Sequence, residues 1–153
     1  MDEGTPAAQL ALMSVLTGTW TTEGSHPLLP DVAIRGRAEF EWLDGEKFLI
    51  WRSQYDHPEI PDAISLIGVT GDRLSMHYFD TRGVHRVYSV GMSPGTWHFE
   101  REDPGFAQRF TGTFDESGDT ITGHGQLSRD GVTWEDDLAL TYRRTRRGPA
   151  GGS

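Results

Sequence analysis

The chain has 153 residues, of which 23 are acidic and 14 basic, giving a formal net charge of −9. This length is typical of one domain with a single core, and an aromatic content of 10% is too high for a disordered chain. The acidic balance disfavours a nucleic-acid partner, since binding to a phosphate backbone normally requires a basic surface. The sequence contains no cysteine, which excludes disulfides, thiolate catalysis and cysteine-ligated metal sites.

The first apolar segment, residues 6–16, predicts a short helix. It has no basic leader and is too short to cross a bilayer, so neither a signal peptide nor a membrane anchor is indicated. Pro6 stands where a helix would begin and Gly18 where it would end. We therefore expect a lead-in helix within residues 1–17, and a cytoplasmic protein without a membrane partner.

From Gly18 onward the pattern changes to short β-rich segments separated by turn signals. In "VAIRGRAEFEWL" (residues 32–43), apolar residues alternate with mostly charged ones, as in a strand with one buried face. We count ten such strands with mostly tight turns, so that neighbours are antiparallel, and closure would remove the two exposed edges. The sequence thus predicts an all-β, up-and-down antiparallel barrel over residues 18–144, with the helix against one end and a flexible tail at 145–153.

Several motifs resemble those of known barrel families. "GTW" after a short helix, and a last strand ending in "LTYRR", are similar to the calycin-like barrels, which include lipocalins, fatty-acid-binding proteins and nitrobindins. "MHYFDTRGVHRVY", "QRFTGTF" and "DGVTWEDDLALTY" resemble a bacterial domain-of-unknown-function family of that architecture, over roughly residues 14–144. The lipocalin resemblance implies that Trp20 packs across the closed end of the barrel. The nitrobindin resemblance implies a haem site, but the iron-binding histidine near that family's C-terminus has no counterpart, since strand alternation places His124 outside.

A barrel of about ten strands is wide enough to enclose a ligand, so inward polar residues are candidates for a site. In the last strand, Asp136 shares a face with Trp134. A desolvated carboxylate there would be a general base or a ligand anchor, unless it pairs with an arginine or lies at the rim. Gln108 shares a face with Phe110 and would either bind a ligand or support the structure.

The strand at residues 73–80 leaves two residues as alternatives. If one face is inward, His77 is available for acid–base chemistry; if the other is, Tyr78 lines the cavity instead. Two segments that contain His-Pro, residues 25–31 and 56–63, are expected either to form a ligand portal at the open end or to be rigid connections.

The strand after the first hairpin also has an open register. A two-residue loop would place Trp51 and Tyr55 inward, and a three-residue loop would place Arg52 and Gln54 inward. We favour the second arrangement, because an inward Arg52 would neutralise Asp136.

These patterns favour binding of a small apolar or aromatic metabolite in the barrel. The candidate ligand-binding residues are Phe40, Trp42, Arg52, Gln54, Tyr78, Gln108, Phe110 and Trp134. The first alternative is a cofactor-independent isomerase, cyclase or hydrolase that uses Asp136 or His77 as acid or base. The second is nitrobindin-like haem binding. No metal site and no cofactor other than that haem are expected, and the oligomeric state is not indicated.

Overall fold

The ten strands form one closed antiparallel barrel in a computed structural model that describes residues 4–148. The chain begins with α1 (Pro6–Leu12), which continues into a 3₁₀ turn (Met13–Leu16). The strands that follow are β1 (Gly18–His26), β2 (Leu29–Trp42), β3 (Phe48–Tyr55), β4 (Ala63–Thr70), β5 (Arg73–Asp80), β6 (His85–Ser93), β7 (Thr96–Arg101), β8 (Ala107–Phe114), β9 (Thr120–Ser128) and β10 (Glu135–Arg147). Each strand pairs with its sequence neighbours, and β10 closes against β1. The predicted all-β, up-and-down barrel with a short N-terminal helix is confirmed.

Because consecutive strands are antiparallel, their ends fall into two sets. The start of β1 lies beside the 3₁₀ turn, and we call this the closed end. The other end, which we call the mouth, carries the loops at residues 56–62, 81–84, 102–106 and 129–134. Both His-Pro sequences lie at the mouth, where the first is a tight hairpin between β1 and β2.

Trp20 fills the closed end, as the lipocalin resemblance implied. Its residue surface is 1% exposed, and its indole Nε1 donates to the Leu16 carbonyl oxygen over 2.8 Å. The ring meets Tyr142 edge-on at a centroid distance of 6.4 Å. The N-terminal segment is thus joined to the barrel core by packing and by a buried hydrogen bond.

The first long hairpin, β2–β3, has a four-residue loop at residues 44–47. The Leu43 amide donates to the Phe48 carbonyl oxygen over 2.9 Å, and Phe40 pairs with Trp51. Glu46 adopts a positive φ of 55° in this loop. Four loop residues preserve the strand parity that two would give, so the inward face is the one with Trp51.

The preference for an inward Arg52 and Gln54 is therefore wrong. Arg52 lies on the outer face and forms ion pairs with Glu39 and Glu41. Gln54 is also exposed, where its Oε1 accepts a hydrogen bond from Arg37 over 2.8 Å. Outer-face pairing across β2 and β3 satisfies these charges without an internal carboxylate.

A β-bulge in β10 reverses the expected parity of its first residues. The β9–β10 register shifts between Asp136 and Ala139, so that Asp137 and Leu138 together oppose Gly125. The Asp136 side chain is consequently outside and 70% exposed, whereas Asp137 is 21% exposed. The prediction that Asp136 faces the cavity is wrong because a simple alternation was carried through this bulge.

β10 continues to Arg147, so residues 145–147 belong to the strand and not to the predicted tail. Thr145 and Thr19 join their hydroxyls across the closing β1–β10 pair at 2.8 Å. Residues 149–153 of that tail prediction, and residues 1–3 of the lead-in segment, lie outside the described residues. Among the described helices, none has the length and apolar character needed to cross a membrane.

Much of the barrel interior is filled by aromatic side chains. Trp97, which is fully buried, packs against Phe40 at 5.8 Å, Trp51 at 5.2 Å and Phe110 at 5.3 Å between ring centroids. Such a core contributes both apolar burial and specific ring contacts. Space for a ligand is therefore confined to the part of the interior nearer the mouth.

Candidate functional site

A cavity of about 130 Å³ lies between the aromatic core and the mouth. Its apolar walls include Trp51, Tyr88, Phe99, Phe110, Leu138, Leu140 and Tyr142. This volume is close to the ~150 Å³ of an engineered apolar cavity that binds benzene. It is well below the ~300–1,000 Å³ of sites for drug-sized ligands. The space is thus suited to a molecule with one aromatic ring.

In the cavity wall formed by β7–β9, two aromatic rings stack on each other and one of them lies against a glycine. Phe99 and Phe110 stack with centroids 4.9 Å apart and planes inclined by 20°. Phe110 lies against Gly123, where a Cβ atom would be only 2.6 Å from the ring. A larger residue at position 123 would push Phe110 into the cavity, so this glycine sets the volume that remains.

Gln108 is the polar residue nearest to the centre of this wall. Its Oε1 accepts hydrogen bonds from the Tyr88 hydroxyl over 3.1 Å and from Arg86 Nη1 over 3.3 Å. Tyr88 pairs edge-on with Tyr78 at 6.3 Å. Burial raises the pKa of Tyr88, against an opposing effect of Arg86, so its phenol is neutral and remains a hydrogen-bond donor at neutral pH.

Trp51, a lining residue of the cavity, carries an unsatisfied buried donor. The residue is 8% exposed, and its buried Nε1 has no hydrogen-bond partner among residues 4–148. An unpaired buried donor costs about 1–3 kcal/mol, which a ligand acceptor would offset. Burial also raises the pKa of Tyr55 to about 12 and that of Tyr142 well above its usual range, so both phenols stay protonated.

His26 and Asp137 form a pair at the edge of the cavity. His26 Nε2 lies 2.7 Å from Asp137 Oδ1, and both side chains are largely buried. His26 Nδ1 accepts the Leu28 amide over 3.0 Å. In the neutral imidazole Nε2 therefore carries the proton and donates it to the carboxylate. Asp137 is the carboxylate that the bulge turns toward the cavity.

A second acidic group at the mouth, Asp80, is tied to its own strand end. Its side chain is fully buried, and Arg82 Nη2 donates to Oδ2 over 2.6 Å. The Tyr78 hydroxyl donates to the same oxygen over 2.8 Å. These hydrogen bonds, of which the one from Arg82 has the largest effect, hold the pKa of Asp80 well below its usual range. Burial, and the hydrogen bond to Asp80, raise the pKa of Tyr78.

The structure places some of the sequence-predicted site residues at the cavity and others away from it. Gln108 and Phe110 line the cavity, and Tyr78 is the inward member of its pair of alternatives. Phe40 is buried below the cavity, where it stacks on Trp51 at 5.3 Å. Trp42 lies at the closed end in a groove beside α1 and is remote from the mouth.

Three other candidates are on the outer surface, so their assignment to the cavity is corrected. Asp136 pairs with His124 Nε2 at 3.1 Å. His77 stacks on His85 with a centroid distance of 5.7 Å, since Tyr78 takes the inward face. Trp134 precedes β10, where the guanidinium carbon of Arg109 lies 3.8 Å from its ring centroid. Arg109 itself bonds Gln126 on the outer face of β8 and β9.

Sequence reasoning missed four polar residues of the site: His26, Arg86, Tyr88 and Asp137. Arg86 and Tyr88 had a usable signal, because they share strand parity with Val90 and Met92 in "HRVYSVGM". Asp137 had none, because its inward position depends on the bulge. His26 lies one residue beyond the β1–β10 register, which ends at Ser25 and Ala139, and this pairing brings it next to Asp137.

The described residues do not fit a haem. The sequence has six histidines, and only His26 points to the cavity edge, with both ring nitrogens engaged. The remaining histidines lie on loops or on the outer face. A cavity of about 130 Å³ is also too small for a cofactor of that size. Within residues 4–148, no group of three His, Asp or Glu side chains is arranged to hold a metal ion.

Larger depressions lie outside the barrel. One of about 680 Å³ runs along the outer face of β5–β7, and two of about 560 Å³ and 690 Å³ flank α1. The first is lined mainly by hydroxyl and charged side chains, and the others are grooves between helix and barrel. None of them holds an unsatisfied buried donor comparable to Trp51, apart from Trp42 Nε1 beside α1.

Comparison with known proteins identifies the fold. No protein-family model matches the sequence. No curated protein matches it either. The structure is similar to that of Rv2717c from M. tuberculosis, with a TM-score of 0.65 and 17% identity over 90% of this chain and 98% of that one. It is also similar to mFAP1, a redesigned β-barrel bound to DFHBI, with a TM-score of 0.46 and 13% identity over 89% of this chain and 99% of that one. The likeness to Rv2717c shows a shared barrel fold.

Proposed function

We propose that the protein binds a small aromatic molecule in the cavity beneath the mouth. The observation that carries this proposal is a cavity of about 130 Å³ with ring-lined walls and the unpartnered indole N–H of Trp51. Ring faces suit an aromatic guest, and a buried donor favours a guest with one acceptor atom. We also propose that the protein belongs to the bacterial family of calycin-like barrels that its motifs resemble. That family has no assigned function, so the resemblance does not indicate which ligand binds.

The experiment compares the wild type with a cavity-filled variant. Phenol has one ring and one oxygen, and its binding is measured by isothermal titration calorimetry. We expect saturable binding in the wild type and its loss in Leu138→Phe, because the added ring atoms occupy the cavity. Leu43→Phe, in an exposed position near the closed end, is the matched control and should bind like the wild type.

Two results would contradict this function. One is the absence of saturable heat up to the solubility limit of phenol. The other is equal affinity in Leu138→Phe and in the wild type, which would place any binding outside the barrel. Circular dichroism of each variant shows whether the fold is retained, so that loss of binding is not confused with unfolding.

A second candidate function, acid–base turnover, is favoured by the position of Asp137. Its carboxylate lines the cavity and holds a hydrogen bond from His26 over 2.7 Å. In this function Asp137 removes a proton from the carbon beside a carbonyl group of the guest and returns it, as in an isomerase. The sequence predicted Asp136 or His77 as the acid or base. In this proposal Asp137 has that role instead, and His26 is its positioning partner.

Deuterium exchange tests this second candidate without knowledge of the natural substrate. The methyl protons of acetophenone in D₂O are followed by NMR with the wild type and with Asp137→Asn. Turnover at Asp137 predicts exchange above the buffer rate in the wild type and at the buffer rate in the variant. Equal exchange in both proteins would leave binding as the only function that the cavity supports.

A further inference from the structure

Arg86 is a cation beside the cavity: it contacts the wall residue Gln108 and also lines the depression of about 680 Å³ along β5–β7. It pairs in register with Tyr78 and shares strand parity with the buried Tyr88. Its Nη1 donates to Gln108 Oε1 over 3.3 Å, and its guanidinium carbon lies 5.6 Å from the centroid of the Phe106 ring. An amide oxygen and a ring face thus hold the guanidinium in place.

Unlike Arg82, Arg101 and Arg129 at the mouth, Arg86 has no acidic partner among the described residues. Arg109, which also borders the cavity, bonds Gln126 and has no acidic partner there either. Arg82 pairs with Asp80 at 2.6 Å, and Arg101 pairs with Asp103 at 2.9 Å. No carboxylate oxygen of residues 4–148 lies within 4.0 Å of the Arg86 guanidinium.

Acidic side chains occur near Arg86 without pairing with it: Glu100 and Glu102 line the same outer depression, and Asp137 lines the cavity. Asp137 lines the same cavity as Gln108, but its Oδ1 accepts from His26 over 2.7 Å. In a protein with a net charge of −9, a half-buried guanidinium that contacts a cavity residue and has no ion pair is an unusual arrangement. Partly buried charges are normally paired, so this position is suited to an anion supplied from outside.

We propose that the ligand of the barrel is an aromatic carboxylate whose carboxylate group is bound by Arg86. This inference rests on the proposed binding function and specifies the ligand class. The ring occupies the cavity among Phe99, Phe110 and Trp51, and the carboxylate is directed to the mouth, where Arg86 stands next to the wall residue Gln108. A guanidinium binds a carboxylate by two parallel N–H···O bonds, which an amine or amide group does not reproduce.

The hydroxyl of Tyr88 completes the recognition of this group. It lies beside Arg86, with which it shares the acceptor Gln108 Oε1. Because the phenol remains protonated, it can donate to a carboxylate oxygen instead of to Gln108. Arg86 and Tyr88 therefore offer charge-assisted donors on one side of the mouth, and Asp137 on the other side disfavours an anion that approaches there.

The test compares two probes of nearly equal shape, benzoate and benzamide, at pH 7 by isothermal titration calorimetry. Benzoate should bind the wild type at least about tenfold more tightly, since charge-assisted hydrogen bonds are about twice as strong as neutral ones. Arg86→Gln should bring this ratio close to one, mainly by weakening the binding of benzoate. Arg86→Lys keeps the positive charge but loses the two parallel N–H donors of the guanidinium, so it should give an intermediate ratio.

Arg52→Gln is the matched control, since Arg52 lies on the outer face with Glu39 and Glu41. It should leave the ratio of the two affinities at the wild-type value. Equal binding of benzoate and benzamide by the wild type, or an unchanged ratio in Arg86→Gln and Arg86→Lys, would overturn the assignment of the anion to Arg86 and leave the cavity function intact. If phenol binds but neither benzoate nor benzamide does, this inference fails and the cavity function stands; if phenol does not bind either, both fail.

Discussion

The guanidinium of Arg144 lies over the indole ring of Trp20, with its central carbon 4.1 Å from the ring centroid. The arginine side chain is 6% exposed and bonds Asp119 over 2.8 Å. It also donates to the Thr17 and Val15 carbonyl oxygens, each over 2.6 Å. One side chain from β10 thus holds the lead-in segment, the β8–β9 hairpin and the Trp20 plug together at the closed end.

We expect Arg144→Met to lower the free energy of unfolding by about 3 kcal/mol. The substitution leaves several carbonyl oxygens without their donor and removes a buried cation–π contact. Urea denaturation followed by tryptophan fluorescence measures the change. Arg143→Met is the control, because Arg143 is exposed on the same strand and should shift stability by less than about 0.5 kcal/mol. Equal stability of the two variants would contradict the role given to Arg144.

Phe110→Leu should enlarge the cavity and change the size of the preferred guest. Loss of part of a stacked, buried ring should cost about 1–2 kcal/mol of stability. The variant should bind a two-ring probe such as naphthol more tightly than the wild type does. Phe79→Leu, on an outer-face ring that is 41% exposed, serves as the control and should alter neither property. Unchanged naphthol affinity in Phe110→Leu would show that this ring does not limit the cavity.

Asp80 should contribute to a loss of stability in acid. Hydrogen bonds from Arg82 hold its pKa below the value of an unfolded aspartate, so its contribution is present above about pH 4 and declines below that value. Asp80→Asn should therefore be less stable than the wild type by about 2 kcal/mol at pH 7. The difference should shrink as the pH is lowered from 5 to 3.

Urea unfolding at a series of pH values measures this trend, and Asp44→Asn in the exposed β2–β3 loop is the control. A gap between Asp80→Asn and the wild type that stays constant down to pH 3 would contradict an ionised Asp80 as its source.

In its neutral form, His26 should adopt a single tautomer. Its Nδ1 accepts the Leu28 amide, so the proton is expected on Nε2, facing Asp137. Long-range ¹H–¹⁵N correlation spectra at alkaline pH distinguish the two tautomers. Detection of the Nδ1–H form as the major species would show that the pair at the mouth is arranged differently.

The barrel itself was predictable because its strands are regular. From Ile34 to Phe40 in β2, buried and exposed residues alternate without interruption, and tight turns connect neighbouring strands. Such alternation and turn signals are local properties of the sequence. They suffice for an antiparallel meander, in which each strand pairs with the next.

The inward face was predictable only where the register has no irregularity. The β2–β3 loop has four residues, a length that the Asp44-Gly45 signal did not indicate, and the preference for an inward Arg52 failed. Because of the bulge in β10, Asp137 faces the cavity where the sequence predicted Asp136. Both errors arise because one residue of register reverses every later side chain, while the energetics of a bulge depend on the partner strand.

The size of the cavity could not be predicted from the number of strands. A barrel of ten strands has room for a ligand, but Trp97, Phe40 and Trp51 fill the middle of this one. Packing of this kind depends on ring orientations that alternation does not encode. The sequence therefore predicted a binding barrel, while the dimensions of the space and the identity of its polar groups came from the structure.

Intermolecular NOEs from phenol test most directly whether an aromatic guest enters the barrel. Binding in the cavity predicts NOEs from the phenol ring protons to the methyl groups of Leu138 and Leu140, which line the cavity. NOEs to the methyl groups of Leu12 and Met92 instead would place phenol in the groove between α1 and the barrel. That result would contradict the proposed site, since the guest would then lie outside the cavity.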